Sequence, residues 1–274
     1  MRALEVVRGV ASELAESGVP SPRVDAEILV AHVLGGTRSE LYADPDVSDV
    51  ELEGLGQLVA RRRAREPLAY VLGEWGFRRL TLAVDGRALV PRPETEVVVE
   101  RCLAHLAGLE RPRVLDVGVG SGAIALAVAD EHPGSEVVAV DGSENALALA
   151  RENVARTGLE GRVALRRGHL LDGVAGHFDL VVSNPPYVPE SDYESLQPEI
   201  RLFEPREAVV GEGLWEPIAA RARGVLASGG WLVLECGDGQ SADVAAGLRG
   251  LGYEDVRAWP DLAGRPRVVE GRRP

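Results

Sequence analysis

The residues best placed to do chemistry form the sequence Asn184-Pro-Pro-Tyr187, which follows the apolar run Phe178–Ser183. The Asn184 side-chain oxygen and the Pro185 carbonyl can accept hydrogen bonds, and neither Pro185 nor Pro186 has a competing N–H. The lone pair of an amide or arylamine nitrogen is delocalised. Two acceptors aimed at its hydrogens would direct that lone pair at an incoming methyl group and stabilise the developing positive charge, while Tyr187 stacks on the flat acceptor group. The sequence therefore predicts methyl transfer to nitrogen, with a proline turn that ends a strand as the alternative.

A second candidate site is the glycine turn Gly118–Gly122, which lies between an apolar run and a helical pattern. Glycine allows the backbone to approach a ligand, and the helix that follows offers unpaired N–H groups. Asp141 ends the next apolar run, 21 residues after Gly120. A carboxylate at that place can accept both hydroxyls of an adenosine ribose. A nucleoside site is predicted, although a glycine turn can also serve only to pack a helix on a strand.

The spacing of the glycines distinguishes two cofactor classes. Gly118, Gly120 and Gly122 follow the pattern G-x-G-x-G, whereas a dinucleotide fingerprint requires G-x-G-x-x-G. Asp116 precedes the turn, and its negative charge would crowd a pyrophosphate but can face the cationic methionine end of S-adenosylmethionine. The arrangement resembles the S-adenosylmethionine loop of Rossmann-like methyltransferases, and this resemblance favours S-adenosylmethionine over NAD.

The elements that must position these residues alternate along the chain. Apolar strand candidates are separated mostly by helical stretches, which predicts an α/β fold with a parallel sheet covered by helices on both faces. We expect strands at Arg113–Val117, Val137–Val140, Val163–Arg166, Phe178–Ser183, Trp231–Glu235, Val256–Trp259 and Arg267–Glu270.

The region before this alternation has a different pattern. Apolar residues recur at helical spacing from Leu4 to about Arg65, and short runs with glycine breaks follow. We predict a helical domain at 1–68, a β-hairpin linker at 69–90 with Asp85-Gly86 as its turn signal, and a catalytic domain at 91–274. We interpret the basic run Arg61–Arg65 as a solvated helix end; contact with RNA or an acidic partner is the alternative.

Composition excludes several classes of function. The 274 residues carry a formal net charge of −13, which disfavours a large nucleic-acid footprint. All 30 basic residues are arginine, so no mechanism can use a lysine. The two cysteines have no metal-ligand spacing, and no metal site is predicted. The N-terminus lacks the apolar core of a signal peptide, and we expect a cytoplasmic protein without a membrane association.

Further motifs combine with Asn184–Tyr187 into a family resemblance. They are Glu66–Phe77, Leu89–Glu96, Phe203–Arg206 and Glu235–Gln240, in this order along the chain. Together they resemble the HemK/PrmC family among the amino-group methyltransferases. The resemblance implies a Rossmann-like class I methyltransferase domain with a mostly parallel seven-stranded sheet, a small N-terminal all-helical domain that docks the substrate, and a β-hairpin linker.

The resemblance also implies roles for individual residues. It assigns cofactor binding to Asp116, to the loop residues Gly118, Val119, Gly120, Ser121 and Gly122, to Asp141 and to Asn184. It assigns the substrate amide to Asn184, Pro185, Pro186 and Tyr187, bordered by Arg92 to Glu96. His169 adjoins the expected adenine position, where it would stack on or hydrogen-bond the base; a surface histidine in a loop is the alternative.

The implied activity is methylation of a protein glutamine. The family transfers a methyl group from S-adenosylmethionine to the side-chain amide of the glutamine in the Gly-Gly-Gln motif of peptide chain release factors, which supports translation termination. We expect class I release factors as partners and no stable binding of nucleic acid. The alternatives are methylation of an rRNA or DNA base, a non-catalytic protein that binds release factor or ribosome, and, least favoured, an NAD oxidoreductase.

Overall fold

The computed structural model describes all 274 residues, and the chain divides into two compact units. The first unit contains Met1–Glu74 and Leu196–Phe203, and the second contains Trp75–Ser195 and Glu204–Pro274. None of the helices combines the length and the apolar character needed to cross a bilayer.

The first unit is helical. In its first helix Val6, Val7, Val10 and Leu14 are buried, and this spacing of three, four and seven residues places them on one face. Ser48 begins the third helix with a reciprocal pair of hydrogen bonds to Glu51, which satisfies backbone N–H groups at the helix end. The helices are α1 (Ala3–Glu16), α2 (Pro22–Val33), α3 (Asp49–Arg63), α4 (Leu68–Leu72) and, from the later segment, α8 (Pro198–Phe203).

The interpretation of the basic run as a solvated helix end holds for Arg61 and Arg63, whose side chains are 44% and 51% exposed, but is wrong for Arg62 and Arg65. The Arg62 side chain is only 5% exposed and pairs with Asp25 at 2.8 Å and with Glu199 at 2.9 Å. Arg65 donates two hydrogen bonds to the same Glu199 carboxylate. Because a buried charge must be paired to be tolerated, these arginines hold the segment Leu196–Phe203 within the helical unit.

The second unit contains a seven-stranded sheet with the order β5-β4-β3-β6-β7-β9-β8. The strands β3 to β7 are parallel, and β9 runs antiparallel to both β7 and β8. These strands are β3 (Arg113–Val117), β4 (Glu136–Asp141), β5 (Val163–Arg167), β6 (Phe178–Ser183), β7 (Leu226–Glu235), β8 (Glu254–Pro260) and β9 (Pro266–Arg272).

Both faces of this sheet are buried. Alternate residues of β3 point to opposite faces, so Val114 packs in one apolar cluster while Leu115 and Val117 pack in another. Helices cover the two clusters, which explains why the strands read as continuous apolar runs. The helices are α5 (Thr95–Leu106), α6 (Ala123–Glu131), α7 (Glu144–Thr157), α9 (Trp215–Val225) and α10 (Ser241–Gly250). The predicted fold class is confirmed, and the main difference in the strands is that β7 begins at Leu226 rather than at Trp231.

The small two-stranded sheet consists of β1 (Glu74–Phe77) and β2 (Leu80–Ala83). Its two-residue turn is Arg78-Arg79, and Arg78 has a φ of +54°, as such turns require. Asp85-Gly86 follows β2, so the predicted turn signal was wrong. The Asp85 carboxylate instead accepts hydrogen bonds from the backbone and side chain of Arg87.

Candidate active site

The order of strands creates a crevice at one edge of the sheet. The chain proceeds from β3 to β4 and β5 on one side, then returns to β6 and β7 on the other side of β3. Loops at the carboxyl ends of β3 and β6 therefore diverge, which is where open α/β sheets bind ligands. The glycine turn follows β3, Asp141 ends β4, and Asn184 follows β6.

The glycine turn is held in a conformation that glycine adopts readily. Gly118, Gly120 and Gly122 all have positive φ, at +82°, +54° and +91°. The N–H groups of Gly118 and Val119 both donate to the Val140 carbonyl, at 2.8 and 3.0 Å. These bonds tie the turn to β4, and α6 begins directly after it.

Asp141 connects the glycine turn to the start of α7. Its Oδ2 accepts the N–H of Gly120 and its Oδ1 accepts the N–H of Ser143, both at 2.9 Å. A carboxylate has about four acceptor sites, so each oxygen keeps capacity for a hydroxyl donor. This arrangement fits a ribose whose two hydroxyls meet one fixed carboxylate.

Asp116 lies beneath the glycine turn and is 1% exposed. Its Oδ2 accepts the N–H of Ala125 at 3.1 Å, whereas its Oδ1 has no hydrogen-bond partner. Burial, together with the nearby charge of Asp141, raises the pKa of Asp116 to about 8 against the opposing effect of the Ala125 hydrogen bond. A buried acceptor without a donor is costly, and a cationic ligand above the turn would favour the ionised form of this carboxyl.

Asn184 is fixed by a short chain of hydrogen bonds. Its Nδ2 donates to Thr95 Oγ1 at 3.2 Å, and Thr95 Oγ1 donates to Glu235 Oε2 at 2.7 Å. The register of β6 and β7 pairs Ser183, the last residue of β6, with Leu234. Asn184, which follows β6, therefore lies beside Glu235, the last residue of β7. The Asn184 side-chain oxygen accepts no hydrogen bond from the protein.

Glu235 is 1% exposed, and burial raises its pKa to about 7. Hydrogen bonds from Thr95 and Asn184 and the charge of Arg267 oppose that rise, whereas the charge of Glu94 adds to it. Glu235 is therefore mostly ionised only above neutral pH.

The predicted site residues meet in two adjoining cavities. The first cavity is lined by Val119, Gly120, Ser121 and Asn184, and the second by His169 and Pro185. Both cavities share five lining residues: Gly118, Asp141, Ser143, Pro186 and Glu207. The two cavities are thus two lobes of one cleft, which extends from the Asn184 amide past Asp141 to the loop after β5.

Four predicted residues lie outside these lobes, namely Asp116, Gly122, Tyr187 and Glu96. Asp116 is buried beneath the turn. Gly122 packs closely on α6, because a Cβ at residue 122 would lie 3.0 Å from Leu126. Tyr187 lines a third cavity with Pro185 and Pro186. Burial raises the Tyr187 pKa to about 12, so its hydroxyl stays protonated.

The structure does not place Glu96 at the border of the pocket, where we expected it. Its carboxylate accepts the N–H of Arg78 in the hairpin turn at 3.0 Å. Arg92 and Thr95, from the same motif, line the first cavity instead. The helical periodicity of α5 explains the difference, because residues 95 and 96 face directions about 100° apart.

Several residues that support the site carry no sequence signal of their own. Asn153 is fully buried on α7, where it donates to the carbonyls of Ser121 and Ala83 and accepts the Ala83 N–H. Gly211 lies against Pro186, where a Cβ would come within 2.7 Å of the proline Cβ. Thr95 and Glu235 fall inside family motifs, but only the folded chain brings them to Asn184.

Comparison with known proteins identifies relatives along the whole chain. Residues 5–73 match the PrmC N-terminal domain, and residues 95–202 match the methyltransferase small domain. The release factor glutamine methyltransferase of Deinococcus radiodurans is 42% identical over 281 residues, covering 100% of this chain and 99% of that protein. The protein of the same name from Caulobacter vibrioides is 40% identical over 265 residues, covering 94% of this chain and 92% of that protein.

Similarity to solved structures supports the methyltransferase fold. A methyltransferase from Pyrococcus furiosus superposes with a TM-score of 0.51 at 21% identity, covering 70% of this chain and 87% of that chain. Class I methyltransferases in general use S-adenosylmethionine, for which the buried acceptor and the glycine turn described above are suited. On the extent and identity of the sequence matches, this chain belongs to the HemK/PrmC family of release factor glutamine methyltransferases.

Proposed function

We propose that this protein transfers a methyl group from S-adenosylmethionine to the side-chain amide nitrogen of the glutamine in the Gly-Gly-Gln motif of class I peptide chain release factors, in the cytoplasm. The observation that carries the proposal is the Asn184 amide, which lines the first cavity and whose Nδ2 is already engaged by Thr95, so that its oxygen is left for a substrate. The names of the relatives in Deinococcus radiodurans and Caulobacter vibrioides support the substrate.

The cofactor is assigned to the two lobes. We propose that Asp141 holds the ribose hydroxyls and that the turn Gly118–Gly122 lies along the nucleoside. Asp116, buried beneath this turn, would act on the cationic methionine end through its charge rather than by direct contact. His169 is assigned to the adenine end, because it lines the second lobe together with Asp141. S-adenosylmethionine supplies an electrophilic methyl group when bound.

The residues of the protein act on the glutamine nitrogen that accepts the methyl group. Asn184 Oδ1 and the Pro185 carbonyl each accept one hydrogen of the primary amide, which turns the nitrogen lone pair toward the cofactor. Amide resonance opposes attack by this nitrogen. The two acceptors offset that cost because they hold the hydrogens away from the methyl donor and stabilise the positive charge that develops on nitrogen in the transition state. Since both acceptors are fixed before the substrate binds, no reorganisation is needed at the moment of transfer.

The mechanism requires no dedicated general base. Nitrogen becomes acidic when it gains the methyl group, and its extra proton can pass to water. Glu235 is not assigned this role because it already accepts the Thr95 hydroxyl and is sealed from solvent. The Tyr187 phenol is excluded as a base by its raised pKa.

The substrate assignment is tested by label transfer. Purified protein is incubated with methyl-labelled S-adenosylmethionine and either a release factor, its Gly-Gly-Gln to Gly-Gly-Ala variant, or total RNA. We expect label in the unmodified release factor alone, and loss of that label with the Asn184→Ala enzyme. Label in RNA would instead favour methylation of a nucleic-acid base and overturn the proposal. The proposal also includes that the protein does not bind nucleic acid stably.

A further inference from the structure

The Asn184 amide is held by two residues that the proposed mechanism does not use. Thr95 lies at the first position of α5, and Glu235 is the last residue of β7. The distances are 3.2 Å from Asn184 Nδ2 to Thr95 Oγ1 and 2.7 Å from Thr95 Oγ1 to Glu235 Oε2. Glu235 is buried, so water does not compete for its carboxylate.

The chemistry of these groups fixes the direction of the hydrogen bonds. Above neutral pH, where Glu235 is mostly ionised, its carboxylate only accepts, and therefore Thr95 must give its single hydroxyl hydrogen to Glu235. The Thr95 oxygen is then only an acceptor toward Asn184, so it must meet the amide NH₂ group. If the amide were flipped, two oxygen acceptors would face each other without a hydrogen, which is costly in a buried site.

We propose that Thr95 and Glu235 are positioning residues that orient the Asn184 amide, with its oxygen toward the acceptor nitrogen, and thereby make the site select a primary amide. The inference rests on the proposed function and extends it to specificity. Because the chain of hydrogen bonds ends in a carboxylate, the site presents oxygen acceptors to the substrate. A glutamine amide offers two hydrogens to them, whereas a glutamate carboxylate at the same place offers none.

Three substitutions test the inference. Thr95→Val keeps the shape of the side chain and removes the hydroxyl, while Thr95→Ser keeps the hydroxyl. Glu235→Gln keeps the volume of the side chain, but the new amide can itself donate a hydrogen bond to Thr95. The direction of the hydrogen bonds is then no longer fixed. At pH 8, we expect Thr95→Val and Glu235→Gln to lower kcat for the release factor at least tenfold, with the Kd for S-adenosylmethionine within about threefold of the unmodified enzyme. Thr95→Ser should restore kcat to within about threefold.

A second measurement does not depend on methyl transfer. The chain has three asparagines, Asn145, Asn153 and Asn184, so [¹⁵N]asparagine labelling gives three side-chain amide signals. The Asn184 signal is assigned by its loss in Asn184→Ala, and buried Asn153 is the internal reference. We expect hydrogen exchange of the Asn184 amide to accelerate at least tenfold in Thr95→Val and Glu235→Gln but not in Thr95→Ser.

The outcomes separate the two proposals. Unchanged kcat or unchanged Asn184 exchange in Thr95→Val and Glu235→Gln overturns the positioning role, as does a Thr95→Ser variant as impaired as Thr95→Val. If the unmodified enzyme transfers no methyl group to release factor, the proposed function fails. In that case the exchange experiment still decides whether Thr95 and Glu235 orient Asn184.

Discussion

The contact of Gly211 with the Asn184–Tyr187 segment gives a sharp prediction. Gly211 donates its N–H to the Val188 carbonyl at 3.1 Å, and Val188 donates to Val209 at 3.1 Å. A Cβ at residue 211 would lie 2.7 Å from Pro186 Cβ and 2.9 Å from the Pro186 oxygen. The same Cβ would lie 2.6 Å from Leu214 Cδ1. Carbon atoms in contact are about 3.5 to 4 Å apart, so Gly211→Ala must separate residue 211 from Pro186 by about 1 Å more.

The displacement has a cost for both catalysis and stability. A misplacement of about 1 Å in a positioning group can lower a rate by about 100-fold. Overpacking costs about 1–3 kcal/mol of unfolding free energy. We therefore expect Gly211→Ala to lower kcat about 10- to 100-fold and to lower the melting temperature by several degrees.

Gly224→Ala is the matched control. Gly224 lies inside α9, and a Cβ there meets no atom within 4 Å. Alanine is favoured over glycine within a helix by about 0.5–1 kcal/mol, so this variant should melt at a slightly higher temperature with unchanged kcat. Steady-state methylation and thermal unfolding of both variants check the argument. It is refuted if Gly211→Ala and Gly224→Ala have the same kcat within twofold.

Three further predictions concern charged side chains. Asp141→Asn removes the charge that assists both proposed hydrogen bonds to the ribose hydroxyls, and it should raise the calorimetric Kd for S-adenosylmethionine about 10- to 100-fold. Glu144→Gln, at an exposed neighbouring residue, should leave the Kd unchanged. Asp116 has a raised pKa of about 8, and the cationic S-adenosylmethionine favours its ionised form. Binding of S-adenosylmethionine should therefore release a proton, and its Kd should fall from about pH 6.5 to about pH 8.5. A Kd that does not change with pH would contradict this prediction. Glu270 pairs with Arg101 and His105, and these hydrogen bonds hold its pKa at about 2 against the opposing effect of burial. Because that pKa is below 4.5, its stabilisation is present above about pH 4.5 and lost as the pH falls toward 2, and Glu270→Gln should lower the neutral-pH melting temperature and flatten the acid dependence.

The strands of the sheet could be predicted from the sequence because their pattern is local. β3 and β6 are apolar runs bounded by turn residues, and the structure gives them the predicted limits. The glycine turn and Asn184–Tyr187 could likewise be found, since their chemistry depends on neighbouring residues in the chain.

What could not be predicted depends on pairing between distant segments. Glu199 pairs with Arg62 across 137 residues, and no local pattern in the basic run indicates a buried partner. The hairpin turn falls at Arg78-Arg79 because strand pairing, rather than the Asp85-Gly86 composition, sets the register. Thr95 reaches Glu235 across 140 residues for the same reason.

The central claim is that Asn184 directs a glutamine amide nitrogen at the methyl donor. Its most direct test is tandem mass spectrometry of release factor methylated by the purified protein, with fragmentation that locates the methyl group. We expect one methyl group on the side-chain nitrogen of the glutamine in Gly-Gly-Gln, and none after reaction with the Asn184→Ala enzyme. A methyl group on another residue, or undiminished methylation by Asn184→Ala, would contradict it.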